Sequence, residues 1–200
     1  GDASADDARR AAPWEEAALI LIEELDDAER GEFALTRAVE RDVGRFAAFD
    51  KLFRRVRSRK DGPRLLELIS ARLEVAEDPT EIAKLFWERA RVMREAGDRQ
   101  GALAALENVT MLEPDHVGAL ALSGEIYITA GEIADAGDKL ARLSRLSHAP
   151  ARQRLMSGVA AVDLYENKLG QVDRALAVLD GLYKDGLSTL PVRERLAKTA

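Results

Sequence analysis

Few side chains in this sequence have the type and spacing to do chemistry. His116 and His148 are the only histidines, the chain has no cysteine, and neither histidine has carboxylates at ligand spacing around it. A structural zinc site needs four closely grouped ligands, so both read as surface or helix-capping residues and no metal is expected. Asp6-Asp7 and Asp26-Asp27 pair carboxylates in sequence, but nothing around them marks a buried general acid. The sequence has no glycine-rich phosphate loop, no Gly-x-Ser-x-Gly elbow and no His-Glu-x-x-His pair. The expectation is a protein that is not an enzyme and carries no cofactor. One basic run remains: Arg54-Arg55-Val56-Arg57-Ser58-Arg59-Lys60 holds five bases in seven residues. Such a run would engage phosphate or an acidic segment. It also suits the last turn of a helix, where cations complement the dipole, and that is the expected role.

Charge narrows the partners. The net charge is −6 with a pI near 5.2, and residues 1–30 hold ten acids against three bases. The rest of the chain is close to neutral, because its acids and bases nearly balance. A nucleic-acid binder should carry a basic stripe, so nucleic acid is not the expected partner. The strong excess of arginine over lysine fits the composition of a GC-rich bacterial source. The longest apolar stretch, Ala17 to Ile22, falls far short of the roughly 20 residues needed to span a bilayer. The opening Gly1-Asp2-Ala3-Ser4 lacks the basic and apolar regions of a signal peptide, and the chain is expected to be a piece of a longer one. A cysteine-free chain suits cytoplasm and periplasm alike.

The elements that would position any site are helices. Hydrophobic residues make up 46% of the chain but aromatics only 5%, so alanine and leucine dominate and favour packed helices over sheet. A polar, flexible tail is expected over 1–12, with Pro13 opening the first helix and Leu21, Ile22 and Leu25 along its stripe. Phe33, Ala34, Ala38 and Val39 mark one face of a second helix, and Phe46, Phe49, Leu52, Phe53 and Val56 one face of a third. Lys60-Asp61-Gly62-Pro63 is a turn, followed by a helix through Leu65, Leu66, Leu68, Ile69 and Leu73. Further helices are expected at about 80–96, 99–112, 116–129 and 133–146, with a third copy of this pair over 151–185. A short capping helix is expected at about 190–198, in the segment 186–200, with Leu190, Val192 and Leu196 covering the end.

The middle of the chain repeats at a fixed offset of 34. Phe86, Ala90, Met93 and Gly97 return as Leu120, Gly124, Tyr127 and Gly131. Ala102, Leu106, Val109 and Leu112 return as Ala136, Leu140, Leu143 and Leu146. Tyr165 then follows Tyr127 at an offset of 38 and Gly170 follows Gly131 at an offset of 39, which places one extra residue in the third inner turn. A fixed period of this length marks stacked helical hairpins. The phrase of a large apolar residue, a small one, an aromatic, a turn glycine and a second small residue resembles the tetratricopeptide repeat. Residues 80–185 carry three such copies, whereas 13–79 share only the rhythm.

The resemblance implies an all-α, right-handed superhelical α-solenoid of about five antiparallel helix pairs. It further implies a non-catalytic scaffold that binds a protein or peptide on the concave face, lined by the first helix of each pair. Projected onto this sequence, that face holds Lys84, Trp87, Arg91 and Arg94, then Gly118, Ala121, Glu125 and Ile128, then Met156, Val159, Asp163 and Glu166. Trp87 beside Arg91 and Arg94 would suit an acidic, partly apolar peptide. The lysine and asparagine clamp with which one subtype holds chaperone tails is absent, since Trp87, Arg91, Ala121 and Glu125 stand at its positions. An RNA-binding repeat is the alternative, but Glu125, Asp163 and Glu166 interrupt the positive stripe it would need. A regulatory or assembly segment of a larger enzyme or secretion machine is the other.

Overall fold

The computed structural model describes residues 2–187, with side chains from residue 9 onward, and no strand occurs among them. The expected helix at 190–198 lies outside the described residues. The rest is an all-α solenoid of antiparallel hairpins in two compact units, Gly1–Asp98 and Arg99–Ala200. The boundary falls just after the turn Gly97-Asp98, inside the first clear sequence repeat.

The first unit contains α1 (Asp2–Leu19), α2 (Ala28–Arg41), α3 (Phe46–Ser58), α4 (Gly62–Leu73) and α5 (Pro79–Glu95). Each helix packs chiefly on its neighbours in the chain, as a stacked array requires. Aspartates set the starts: Asp27 accepts from the Arg30 amide at 3.1 Å, Asp61 from Arg64 at 3.1 Å, and Asp78 from Thr80 at 3.1 Å. Leu35, Leu52 and Ile69 are fully buried at its centre.

Two expectations change in this unit. The helix begins at Asp2, not Pro13, so the expected tail is helical and Pro13 lies inside α1. Early aspartates favour a helix N-terminus and the alanines carry high propensity, which outweighs the one backbone bond that proline removes. Phe33 and Phe46 do not join the buried stripes; they are 54% and 60% exposed. Phe33 meets the Trp14 ring edge-on at 6.1 Å and lies under the Arg37 guanidinium at 5.1 Å.

The second unit contains α6 (Arg99–Leu112), α7 (Val117–Ala130), α8 (Ile133–Ser144), α9 (Ala151–Asp163) and α10 (Val172–Lys184). Tyr165, Val162, Val178 and Leu182 are buried in its largest core cluster. Small residues permit the close approaches: a Cβ at Gly124 would lie 2.9 Å from Leu140 side-chain atoms, and one at Gly137 would lie 2.7 Å from Tyr165 Cε1. His116 caps α7, its Nδ1 accepting the Ala119 amide at 2.9 Å, and His148 Nε2 lies 3.1 Å from the Asp115 carbonyl oxygen.

The hairpin turns share one geometry. Gly131 has φ of +80°, and the Glu132 amide donates to the Tyr127 carbonyl at 3.0 Å, five residues back. Asp98 donates to Met93 in the same way at 2.9 Å. The extra residue of the third copy is not in the turn, as expected, but in the helix before it. Leu164–Lys168 forms a single π turn, and Gln171 donates six residues back, to Tyr165, at 2.7 Å.

The same device appears where the sequence showed only rhythm. Ile20–Glu24 is also a π turn, and Asp27 donates six residues back to Leu21 at 2.8 Å. The left-handed turn residue is Asp26, at φ +51°. Counted from that turn, with the extra residue of the π turn left out, Trp14, Ala18 and Leu21 occupy the positions of Phe86, Ala90 and Met93, and Gly31 that of Ala102. Gly31 is buried against α1, where a Cβ would fall 2.3 Å from Ile22 Cγ1. The next left-handed residue is Lys60, at φ +58°, one full repeat period after Asp26. In 13–79, aspartate and lysine thus stand in the left-handed conformation at turn positions that elsewhere hold glycine.

Candidate functional site

The twelve projected residues fall into register. Counted back from each hairpin turn, with the extra residue of the third copy left out, Lys84, Gly118 and Met156 share one position, and Trp87, Ala121 and Val159 the next. Arg91, Glu125 and Asp163 share a third, and Arg94, Ile128 and Glu166 a fourth. Lys84, Trp87, Arg91 and Arg94 belong to α5 in the first unit, and the rest to the second.

On α5, Lys84 and Arg94 are exposed and Trp87 is half-buried. Arg91 is engaged inside the unit. Its Nη1 donates to Glu88 at 3.0 Å, and the other oxygen of Glu88 accepts from Arg57 Nη1 at 2.5 Å. Glu88 thus ties the α5 face to the basic run of α3, and Arg57 also lies 3.7 Å from Glu95. The expected basic site for an acidic peptide is therefore partly neutralised by its own helix. Glu88 was legible as a partner of Arg91 three residues on; its second partner, Arg57 on another helix, depends on the fold.

The rest of the basic run is also spent on packing. Arg59 donates to Glu32 of α2 at 2.8 Å, and Arg55 donates to Glu32 at 3.4 Å and to the Ala28 carbonyl at 2.9 Å. Arg54 pairs with Asp50 one turn earlier in α3. The contacts of Arg55, Arg57 and Arg59 join α3 to α2 and α5. Among the described residues no group of His, Asp and Glu is arranged to hold a metal, and no helix is long and apolar enough to cross a membrane.

The second unit presents a different face. Ile128 on α7 is 43% exposed, and Met156 and Val159 on α9 are 61% and 36% exposed. Glu125 is exposed, while Asp163 is half-buried and accepts from Asn167 Nδ2 at 2.7 Å. Gly118 and Ala121 leave α7 low beside them. The two first helices thus show small and apolar positions toward their N-terminal ends, and acids with Ile128 toward the hairpin turns.

At that end Tyr165 anchors the π turn. Its hydroxyl donates to Asp138 at 2.7 Å, Arg174 Nη2 donates to the hydroxyl at 3.0 Å, and the Arg174 guanidinium lies 4.2 Å from the ring centroid. Burial first, then the bond to Asp138 and its charge, pushes the Tyr165 hydroxyl up to about 12, against the opposing charges of Arg174 and Arg145. Folded Tyr165 therefore keeps its proton where the unfolded residue, near 10.0, loses it. The stability that this contributes is complete below pH 10 and is lost as the pH climbs toward 12. Tyrosinate absorbance should show a step near pH 12 in the wild type that Tyr165→Phe lacks; identical high-pH profiles would contradict the buried position.

These hairpins, with short turns, small residues at the crossings and first helices in register, define a helical repeat protein that presents its first-helix faces. Residues 93–158 match the tetratricopeptide repeat family. The chain is similar in structure to a tetratricopeptide repeat protein from Parabacteroides merdae ATCC 43184, at 15% identity and a TM-score of 0.60, over 95% of this chain and 72% of that one. It is also similar to the MamA protein, at 16% identity and a TM-score of 0.61, over 89% of this chain and 93% of that one. No curated protein matches the sequence. Residues 93–158 thus match the tetratricopeptide repeat in sequence, and the described chain shares the fold of these two solved structures.

Proposed function

We propose that this chain is a non-catalytic scaffold that binds a segment of a partner protein on the first-helix face of its second unit. The observation that carries this reading is the exposure of Ile128 on one first helix of the unit and of Met156 and Val159 on the next. The α8 and α10 positions that pack inward, such as Leu140, Leu143 and Leu182, are by contrast buried. Exposed apolar side chains grouped on a rigid surface are a common basis for recognition. A preformed helical face also lowers the ordering cost of binding to what the partner segment itself must lose.

The neighbouring acids specify the chemistry. Glu125, Asp163 and Glu166 flank the apolar positions, so the favoured segment carries apolar side chains beside lysine or arginine. The acidic peptide first expected at α5 is less favoured, because Glu88 already holds Arg91. The acids on two successive first helices likewise oppose a nucleic-acid backbone.

The test is a titration of fluorescein-labelled twelve-residue peptides, one set of leucine with lysine and arginine, the other of leucine with glutamate. The basic set should bind, and replacing Ile128, Met156 and Val159 together by serine should abolish binding without changing helical circular dichroism. Unchanged affinity in that variant, or preference for the acidic set, would overturn the assignment.

A further inference from the structure

The first unit carries a cleft on the side of its second helices, α2 and α4. It has a volume of about 360 Å³ and is lined by the last turn of α2, the connection to α3 and one stripe of α4. That stripe runs through Arg64, Glu67, Leu68, Ala71, Glu74 and Val75, at the spacing of a single helix face. Val39 and Leu68 form a buried floor, whereas Val75, which lines the same space, is 48% exposed. The size falls at the lower end for sites that take a small molecule.

One wall of this cleft is fixed by a buried charge. Val43 lines the space from the connection between α2 and α3, and its carbonyl accepts from Arg72 Nη1 at 2.7 Å. Beside it, the Gly44 amide donates to Asp42 Oδ1 at 3.0 Å. A buried guanidinium is costly unless partners meet it, and one partner of Arg72 is the wall itself. The space is therefore preformed. The charges around it do not all cancel. Glu40 accepts from Arg37 at 2.9 Å, and Glu67 accepts from Arg64 at 2.8 Å. Arg41 and Glu74 remain, both exposed, and neither has a side-chain partner among the described residues. Arg41 stands in the last turn of α2, and Glu74 caps the end of α4. The carbonyl end of α4 adds negative potential beside Glu74, which favours an ammonium group there.

We infer that this cleft binds a small apolar zwitterion, an aliphatic amino acid or a dipeptide of such residues. Its carboxylate pairs with Arg41, its ammonium with Glu74 at the end of α4, and its aliphatic body lies on Val39, Val43, Leu68 and Ala71. Arginine suits the carboxylate because its planar guanidinium donates two parallel bonds. A ligand with one charge would leave either Arg41 or Glu74 unanswered, so the site selects for both charges on one apolar body. The inference is independent of the binding face proposed on the second unit.

The test follows amide chemical shifts of the isotope-labelled full chain as L-leucine, Leu-Leu, isoamylamine or isocaproate is added. The last two carry the same branched chain with only one charge. L-leucine or Leu-Leu should move the Gly44 and Val75 amides saturably, and the one-charge compounds should bind about tenfold more weakly. Saturation by L-leucine alone assigns the site to free amino acids, and saturation by Leu-Leu alone assigns it to short peptides. Arg41→Gln and Glu74→Gln should each weaken the zwitterion by about tenfold, the size of one charge-assisted hydrogen bond. Neither side chain has a partner within the described residues, so the urea midpoint of tryptophan fluorescence should stay the same in both variants. Equal binding of the amine or the acid, undiminished binding in either variant, or no saturation by any of these compounds would overturn the inference.

Discussion

Replacing Arg72 with alanine is expected to destabilise the first unit by about 3 kcal/mol, at the lower end of the range for removing one partner of a buried ion pair. Arg72 stands twelve residues after the left-handed Lys60, where the other hairpins place Ala38, Val109, Leu143 and Leu182. All four of those are buried and apolar. At this core position the guanidinium is held on several sides: Nε donates to Glu81 at 2.7 Å, Nη1 donates to the Val43 carbonyl at 2.7 Å, and the group lies 5.9 and 5.8 Å from the rings of Phe46 and Phe49. Alanine would strand Glu81 and the carbonyl together. Because the Glu81 side chain keeps 21% exposure, water recovers part of the loss, which sets the lower figure. The double replacement Arg72→Leu with Glu81→Leu should return much of the stability, since it leaves no buried charge behind. Both tryptophans, Trp14 and Trp87, lie in the first unit, so the urea midpoint of tryptophan fluorescence reads this change directly. A double variant no better than Arg72→Ala would show that the arginine acts through packing alone.

Tyr165→Ala should cost the second unit about 3–5 kcal/mol, the range for emptying a buried aromatic site. Tyr165 is 1% exposed, and its ring lies against the bare backbone of Gly137, so the site has no neighbour ready to fill it. Tyr165→Phe keeps the ring and loses one hydroxyl that serves both Asp138 and Arg174, which should cost only about 1 kcal/mol. Helical circular dichroism during urea unfolding checks the ordering, because neither tryptophan reports on this unit. Similar losses for the two variants would mean that the hydrogen-bond network, not the ring, holds the π turn.

The sequence was legible where turn positions held glycine and the crossings held small residues. Gly97 and Gly131 expose the period because a left-handed φ selects glycine, so the same letter recurs at the same place. Asp26 and Lys60 adopt the same conformation with side chains that give no such signal, and the extra residue after Leu21 shifts the count by one. The first two hairpins were therefore read only as rhythm. Arg72 escaped notice for a related reason: a charged residue at a core position carries no mark in sequence until Glu81 and Val43 are seen to meet it. The candidate face was legible as a set of register positions, since spacing from the turn determines which residues share a row. Its charge was not. Glu88 stood within reach of Arg91 in the sequence, but its second partner, Arg57, meets it only across α3 and α5.

The two π turns have a consequence for how this chain tolerates change in length. Each takes up one added residue within the final turn of a first helix, between the last small crossing residue and the hairpin turn. The packed rows on either side keep their partners, so the addition stops where it begins and is not passed on to the next hairpin. In a stacked array, one residue inserted mid-helix would rotate every later contact by about a quarter turn, given roughly 3.6 residues per turn. Lengthening here is quarantined. The ends of the first helices are thus the places where such a chain can grow or shrink by a residue while its neighbours remain in phase.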